Sequence, residues 1–424
     1  MDSNLKKSRG QFFTTKNRVL DVLISLINNN GNILEPSAGE GHIVLEIEKK
    51  LNRNVLSVEL DVDKVNSKIC DSEIIVDNFF NYIKTCKTFD TIVGNPPFVK
   101  LKNVEQDTLD LLPEKIPGNG NLYYFFIKYC VKLLSDGGEL IFIVPKEWLY
   151  NVSSQFVREF LKENGNFSHF IDCGEEKLFD DADVPALCIF RYVKNYSGDL
   201  KYYDTLDDYS LNKFVSKKVV YNNTISFCNE IRTGKTISDF FDVKVGLVTG
   251  AEKIFKLDDN IELPNNCIIQ IVGTNKELSN YLFADNYDVF DELPEQVKNY
   301  LIPNKEKLIK RKISNFTEKN WWKYGALRNF NLMKSNQKRI YGIMKTRDTN
   351  IFWVGNINEY FGGGIIGLFL KDGVDVNLDD AVEFLNSTDF RDIMKENNMC
   401  SNNKVSITPS VLSSLPFTYL NNKK

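Results

Sequence analysis

The sequence predicts an α/β protein: a doubly wound, mostly parallel sheet of seven strands, followed by a mixed α+β domain. Two observations carry this. From residue 17 to about 193, short apolar runs alternate with stretches of helical periodicity. Strands separated by helices of about 10–15 residues build a parallel sheet covered on both faces. Past a Tyr-, Asp-, Ser- and Asn-rich stretch at roughly 195–235, the rhythm changes to short β-like runs between polar loops. The domains are therefore expected at 1–230 and 231–424.

The elements follow in order. Val19, Leu20, Val22, Leu23, Leu26 and Ile27 are spaced for a helix, which Gly31 ends. A strand at 32–35, the turn Pro36 to Gly41 and a helix at 42–50 come next. Strands at 55–58, 74–76 and 91–93 follow, with a helix at 62–70 between the first two. A loop at 99–120 leads to a helix at 122–134, the apolar strand 140–144, a helix at 153–163 and strands at 167–171 and 186–192. Beyond the boundary, strands are expected at 243–248, 268–272, 351–354 and 365–370, with two helices near 378–398.

Bulk properties narrow the chemistry. A chain of 424 residues, 42% hydrophobic and 26% charged, is long enough for two domains with real cores. No apolar run approaches the ~20 residues of a membrane helix, so no membrane partner is expected. Residues 1–9 are polar and basic, unlike a secretory signal. Eight cysteines scattered singly imply buried thiols in a reducing, cytoplasmic setting, with no metal-ligand spacing. With only His42 and His169, neither a histidine-rich metal site nor a Ser-His-Asp triad is expected. The net charge of −4 is uneven: residues 301–350 hold thirteen Lys/Arg against three Asp/Glu, interleaved with Phe316, Trp321, Trp322, Tyr324, Phe330 and Tyr341. Such a segment suits a nucleic-acid groove. The competing reading is a solvated charged face.

Ligands of a parallel sheet sit at the carboxyl ends of its strands, and two unusual turns fall there. Glu35-Pro36-Ser37-Ala38-Gly39-Glu40-Gly41 has glycines that let backbone approach a ligand. It also has two acids and no lysine, so a cationic or neutral ligand suits it better than a polyphosphate. The next strand ends in Glu59-Leu60-Asp61, where an acid can hold ribose hydroxyls. The third ends in Asp77-Asn78-Phe79, offering a carboxylate to an adenine amino group. The second turn is Gly94-Asn95-Pro96-Pro97-Phe98: an amide, two rigid prolines and a ring. Together they make a fixed polar clamp with a stacking face, suited to a flat base with an exocyclic amine.

These residues resemble the gamma group of amino-methylating DNA methyltransferases, the TaqI-like adenine-N6 enzymes. Gly10 to Thr15, the Glu35 to Gly41 turn, Glu59, Asp77 and Asn95 to Phe98 stand in that family's order and spacing. The resemblance implies a methyltransferase sheet carrying S-adenosylmethionine and a C-terminal DNA-recognition domain. Phe13, Thr14, Glu35, Ser37, Ala38, Gly39, Glu59, Leu60, Asp77, Asn78 and Asn95 would hold the cofactor. Asn95, Pro96, Pro97 and Phe98 would be catalytic, with Phe98 and Phe179 stacking on a base flipped from duplex DNA. Asp180 follows Phe179 where the family has a proline. Residues 245–251 and 407–416 resemble parts of the recognition domain, where Arg311, Lys312, Arg328, Lys338 and Arg339 are the DNA-contact candidates. A monomer is expected, alongside a separate restriction endonuclease of the same site. Other amine acceptors (cytosine N4, an RNA base, a protein glutamine) and a non-catalytic DNA-binding subunit of the same fold are the alternatives.

Overall fold

The computed structural model describes residues 17–417, apart from Cys86, 116–119, Glu175, Lys177, 179–185, Asn223, Ile231, Thr233, Asp259, Asn402 and Asn403. It divides into two compact units, one running to Ile231 and the other from Arg232. Among the described residues no helix is long and apolar enough to cross a membrane.

The first unit is built on one sheet. Strands β1 (Ile33–Glu35), β2 (Leu56–Glu59), β3 (Ile74–Val76), β4 (Phe89–Gly94) and β5 (Leu134–Pro145) run parallel, β4 beside both β1 and β5. Strand β7 (Leu187–Lys194) lies antiparallel between β5 and β6 (Gly165–Gly174). The expected seven strands are all present, but the sheet holds ten. Strands β8 (Leu200–Tyr203), β9 (Val215–Tyr221) and β10 (Ile225–Cys228) extend its β6 side, giving the order β10-β9-β8-β6-β7-β5-β4-β1-β2-β3. The stretch where the sequence suggests a break is thus an added edge. Its strand β9 has no fully buried residue, so it lacks the apolar alternation that marks a strand.

Helices cover both faces: α1 (Asn17–Ser25), α2 (His42–Leu51), α3 (Val62–Asn66), α4 (Phe79–Tyr82), α5 (Gln106–Leu111), α6 (Leu122–Leu133), α7 (Gln155–Asn164) and α8 (Leu206–Ser210). Helix α6 buries ten of its twelve residues, which explains why it is apolar nearly all round. Helix α3 is shorter than the expected 62–70, because the Ser67 hydroxyl bonds back to the Asp63 and Lys64 carbonyls as the helix ends. Midway along β5, the fully buried Glu139 accepts from Asn28 N, Asn29 N and Thr91 Oγ1 and pairs with Arg191 on β7. A charge so enclosed is tolerable only when paired and hydrogen-bonded.

The second unit has a four-stranded sheet ordered 241–245, 365–370, 339–343, 352–355, all antiparallel. Two three-stranded sheets accompany it, one built on the hairpin 268–272 and 278–282. The expected helical stretch is Leu378–Leu385 and Thr388–Glu396.

Candidate active site

A cavity of about 880 Å³ opens at the carboxyl ends of β1, β2, β3 and β4. The turn after β1 forms its floor. Gly39 and Gly41 have φ of 57° and 87°, a region that favours glycine, and a Cβ at Gly41 would lie 2.6 Å from Cys70 Sγ. Glu59 ties this turn to β2, accepting from Gly39 N at 2.7 Å and from Asp61 N at 2.9 Å. A carboxylate has about four lone-pair positions, so Glu59 keeps acceptor capacity for a ligand. The exposed side chains of Leu60 and Val76 add apolar surface to the lining.

Glu35 is only 2% exposed, and its Oε2 has no hydrogen-bond partner among the described residues. Burial, and next the neighbouring Glu59 charge, hold its carboxyl well above the ordinary carboxylate range, opposed by a bond from the Val44 backbone. Six carboxylates line the cavity (Glu35, Glu59, Asp61, Asp77, Glu105 and Asp107) against Lys64 and His42. Lys64 is paired with Glu40 at 2.7 Å. The sign of the field therefore favours a cationic ligand and repels polyphosphate.

The clamp lies across the turn. Asn95 and Pro97 line the cavity, and Ser37 Oγ donates to the Asn95 carbonyl at 3.4 Å. A Cβ on Gly94 would meet Pro36 Cδ at 3.3 Å and Phe142 Cε1 at 3.4 Å, so β4 ends flush against the first turn. The half-buried Phe98 ring sits edge-on to Tyr123 at 5.8 Å. Tyr123 in turn donates to the Pro145 carbonyl at 3.2 Å, fixing the clamp's ring to the end of β5.

The sequence-predicted residues Glu35, Ser37, Ala38, Gly39, Glu59, Leu60, Asp77, Asn78, Asn95 and Pro97 thus share one cavity. Pro96 and Phe98 stand beside it in the chain but not in its lining. Phe13, Thr14 and Phe179 lie outside the described residues. The Asn78 side chain is partly engaged within the protein, its Oδ1 capping Phe80 N and one hydrogen of its Nδ2 donated to Thr108 Oγ1 at 2.8 Å. Asn78 keeps its second amide N–H beside the cavity.

Sequence reading missed much of the opposite wall. Val104, Thr108 and Leu111, from the segment after the clamp, line the cavity with Leu122 and Phe126 of α6. Phe126 stacks on Phe79 with ring centroids 4.7 Å apart. The dense aromatics of α6 were a usable signal; the polar 101–111 segment carried none.

In the second unit the basic aromatic segment separates into two parts. Trp321, Trp322, Tyr324 and Tyr341 are core residues, so these aromatics do not form a stacking groove. Arg311 and Arg339 are buried as well, which corrects their assignment to DNA. Arg311 bonds to the Leu308, Thr249, Trp321 and Lys323 carbonyls and packs on the Phe316 ring at 3.7 Å. Arg339 bonds to the Gln337, Met333 and Ser335 carbonyls. A guanidinium closes unpaired carbonyls well because its five donors fan out in one plane. Lys312, Arg328 and Lys338 remain exposed.

Sheet order and strand-end cavity are those of the doubly wound methyltransferase sheet that the resemblance implies. Residues 20–179 match the family model described as Eco57I restriction-modification methylase. The chain is 26% identical to the Type II methyltransferase M.HindII of Haemophilus influenzae, over 98% of this chain and 90% of that protein. It is 26% identical, with the same coverage, to M.HincII of Haemophilus influenzae. A solved structure of the Type IIL restriction-modification enzyme MmeI in complex with DNA aligns over 97% of this chain and 64% of that one, with a TM-score of 0.62 at 12% identity. That last likeness is one of fold. These matches make the chain similar to Type II restriction-modification methyltransferases, consistent with the gamma-group resemblance.

Proposed function

We propose that the chain is a site-specific DNA methyltransferase that uses S-adenosylmethionine to methylate adenine N6 in duplex DNA after flipping the base. The observation that carries this is one cavity joining an acid-lined turn to Asn95 and Pro97 of the clamp, with the buried Glu35 Oε2 left without a partner among the described residues. That donor set fits the cofactor. Glu35 would meet its cationic amino-acid end, Glu59 its ribose hydroxyls and Asp77 its base. A volume of about 880 Å³ lies within the ~300–1,000 Å³ of small-molecule sites. When bound, S-adenosylmethionine supplies an electrophilic sulfonium methyl.

The chain's residues would act on the amine. Its lone pair is delocalised into the ring, so it is a poor nucleophile until bonds from both N–H groups pull nitrogen toward tetrahedral geometry. The Asn95 side-chain oxygen and the Pro96 carbonyl are the acceptors assigned to those bonds. Their dipoles also face the positive charge that develops on nitrogen. Holding the amine in line is a proximity effect, which supplies about 7–11 kcal/mol at best. Phe98 offers a stacking face, worth ~1–3 kcal/mol, against the cost of unstacking the base. The second unit would hold the duplex, with Lys312, Arg328 and Lys338 as phosphate contacts and a restriction endonuclease of the same site as partner.

Labelled methyl transfer to unmethylated duplex DNA, followed by mass identification of the nucleoside, tests the reading. N6-methyladenine is expected. Label in cytosine, RNA or protein instead, or in nothing, sinks it.

A further inference from the structure

Thr108 is 7% exposed and lines the cavity from α5. The direction of its hydroxyl is set by its neighbour. Asn78 Oδ1 accepts from the Phe80 backbone N–H, which leaves only the amide NH₂ to face Thr108. Amide orientation is assigned from such networks, and a backbone N–H admits no other choice. Asn78 Nδ2 therefore donates to Thr108 Oγ1, at 2.8 Å, and Oγ1 must accept. A hydroxyl carries one proton besides its lone pairs. No other bond of this hydroxyl exists among the described residues, so its proton is left for whatever fills the cavity.

Asp77 lines the same cavity with a carboxylate, whose oxygens accept. Adenine presents an exocyclic amine, which donates, beside ring nitrogens, which accept. We propose that Thr108 reads the base of the bound cofactor, donating its hydroxyl proton to a ring nitrogen while Asp77 accepts from the exocyclic amine. This rests on the cofactor reading above and assigns it a residue outside the resemblance's motifs. Hypoxanthine has a carbonyl in place of the amine, so it presents an acceptor to the Asp77 carboxylate. The pair therefore selects an adenosyl over an inosyl cofactor.

Calorimetric titration with S-adenosylhomocysteine tests this without turnover. Thr108→Val, which keeps the shape, should bind about 3- to 10-fold more weakly, the range of one net hydrogen bond. Thr108→Ser should bind like wild type. Analogues with the 1-, 3- or 7-nitrogen of the base replaced by carbon separate recognition from packing. For one of them, wild type and Thr108→Val should bind equally. If Thr108→Val weakens every analogue as much as the parent, Thr108 only props α5 and the inference falls. Equal binding of the parent by wild type and Thr108→Val also overturns it. A wild-type chain that binds neither S-adenosylmethionine nor S-adenosylhomocysteine overturns the cofactor reading itself.

Discussion

Glu35→Gln should move cofactor affinity and stability in opposite directions. The wild-type carboxyl is buried, lacks a partner on Oε2 among the described residues and holds its proton above the ordinary value of 4.5. Between 4.5 and that raised value the folded chain keeps a proton that the unfolded chain has lost. Stability from this group is thus fully present below 4.5 and falls as pH rises through the raised value. Glutamine does not titrate, so the unliganded variant should gain in melting temperature over wild type as pH crosses that window. A bound ammonium reverses the balance: it favours the carboxylate, so binding expels the proton. A charged hydrogen bond contributes about 1.5–3 kcal/mol, so the variant should bind cofactor about 10- to 150-fold more weakly. Thermal melts across pH, and calorimetry in buffers of different ionisation enthalpy, read both effects. Equal affinity in the variant, with wild-type binding heats independent of buffer, would refute the reasoning.

Three further outcomes are expected. Asn95→Ala should lower methyl transfer by about 10²–10³-fold or more, the scale for losing one electrostatic contact to the reacting group. Its cofactor affinity should stay within about tenfold of wild type; a larger loss in equilibrium binding would assign Asn95 mainly to the cofactor. Arg311→Ala should destabilise the second unit in denaturant melts by about 3 kcal/mol or more, since it strands several buried carbonyls. Lys312→Ala should leave those melts unchanged and reduce the salt dependence of DNA binding by about one ion.

The parallel core was legible because its strands and helices have distinct periods, and apolar runs such as 140–144 allow little else. The Glu35 to Gly41 turn was legible as part of a cavity because its acids and glycines fall together at a strand end. The strands β8 to β10 were not, since β9 has no buried residue to set an apolar alternation and β8 and β10 are only four residues long. Arg311 and Trp322 show a second limit. A basic, aromatic stretch reads alike whether its rings and guanidinium face solvent or fill a core, and only burial separates the two. Thr108 shows a third. Its role depends on Asn78, thirty residues away in the chain, and no local pattern encodes that pairing.

Gly94 sets a rule for anyone recombining parts of this protein. Its bare Cα lets the end of β4 rest on Pro36, and Ser37 reaches the Asn95 carbonyl across that junction. The Asn95 to Phe98 segment and the Glu35 to Gly41 turn are therefore a matched pair that must be exchanged together. Grafting another enzyme's clamp onto this turn would press a foreign side chain, or a slightly different proline, into a gap of van der Waals width. Residues 232–424 form a compact unit of their own.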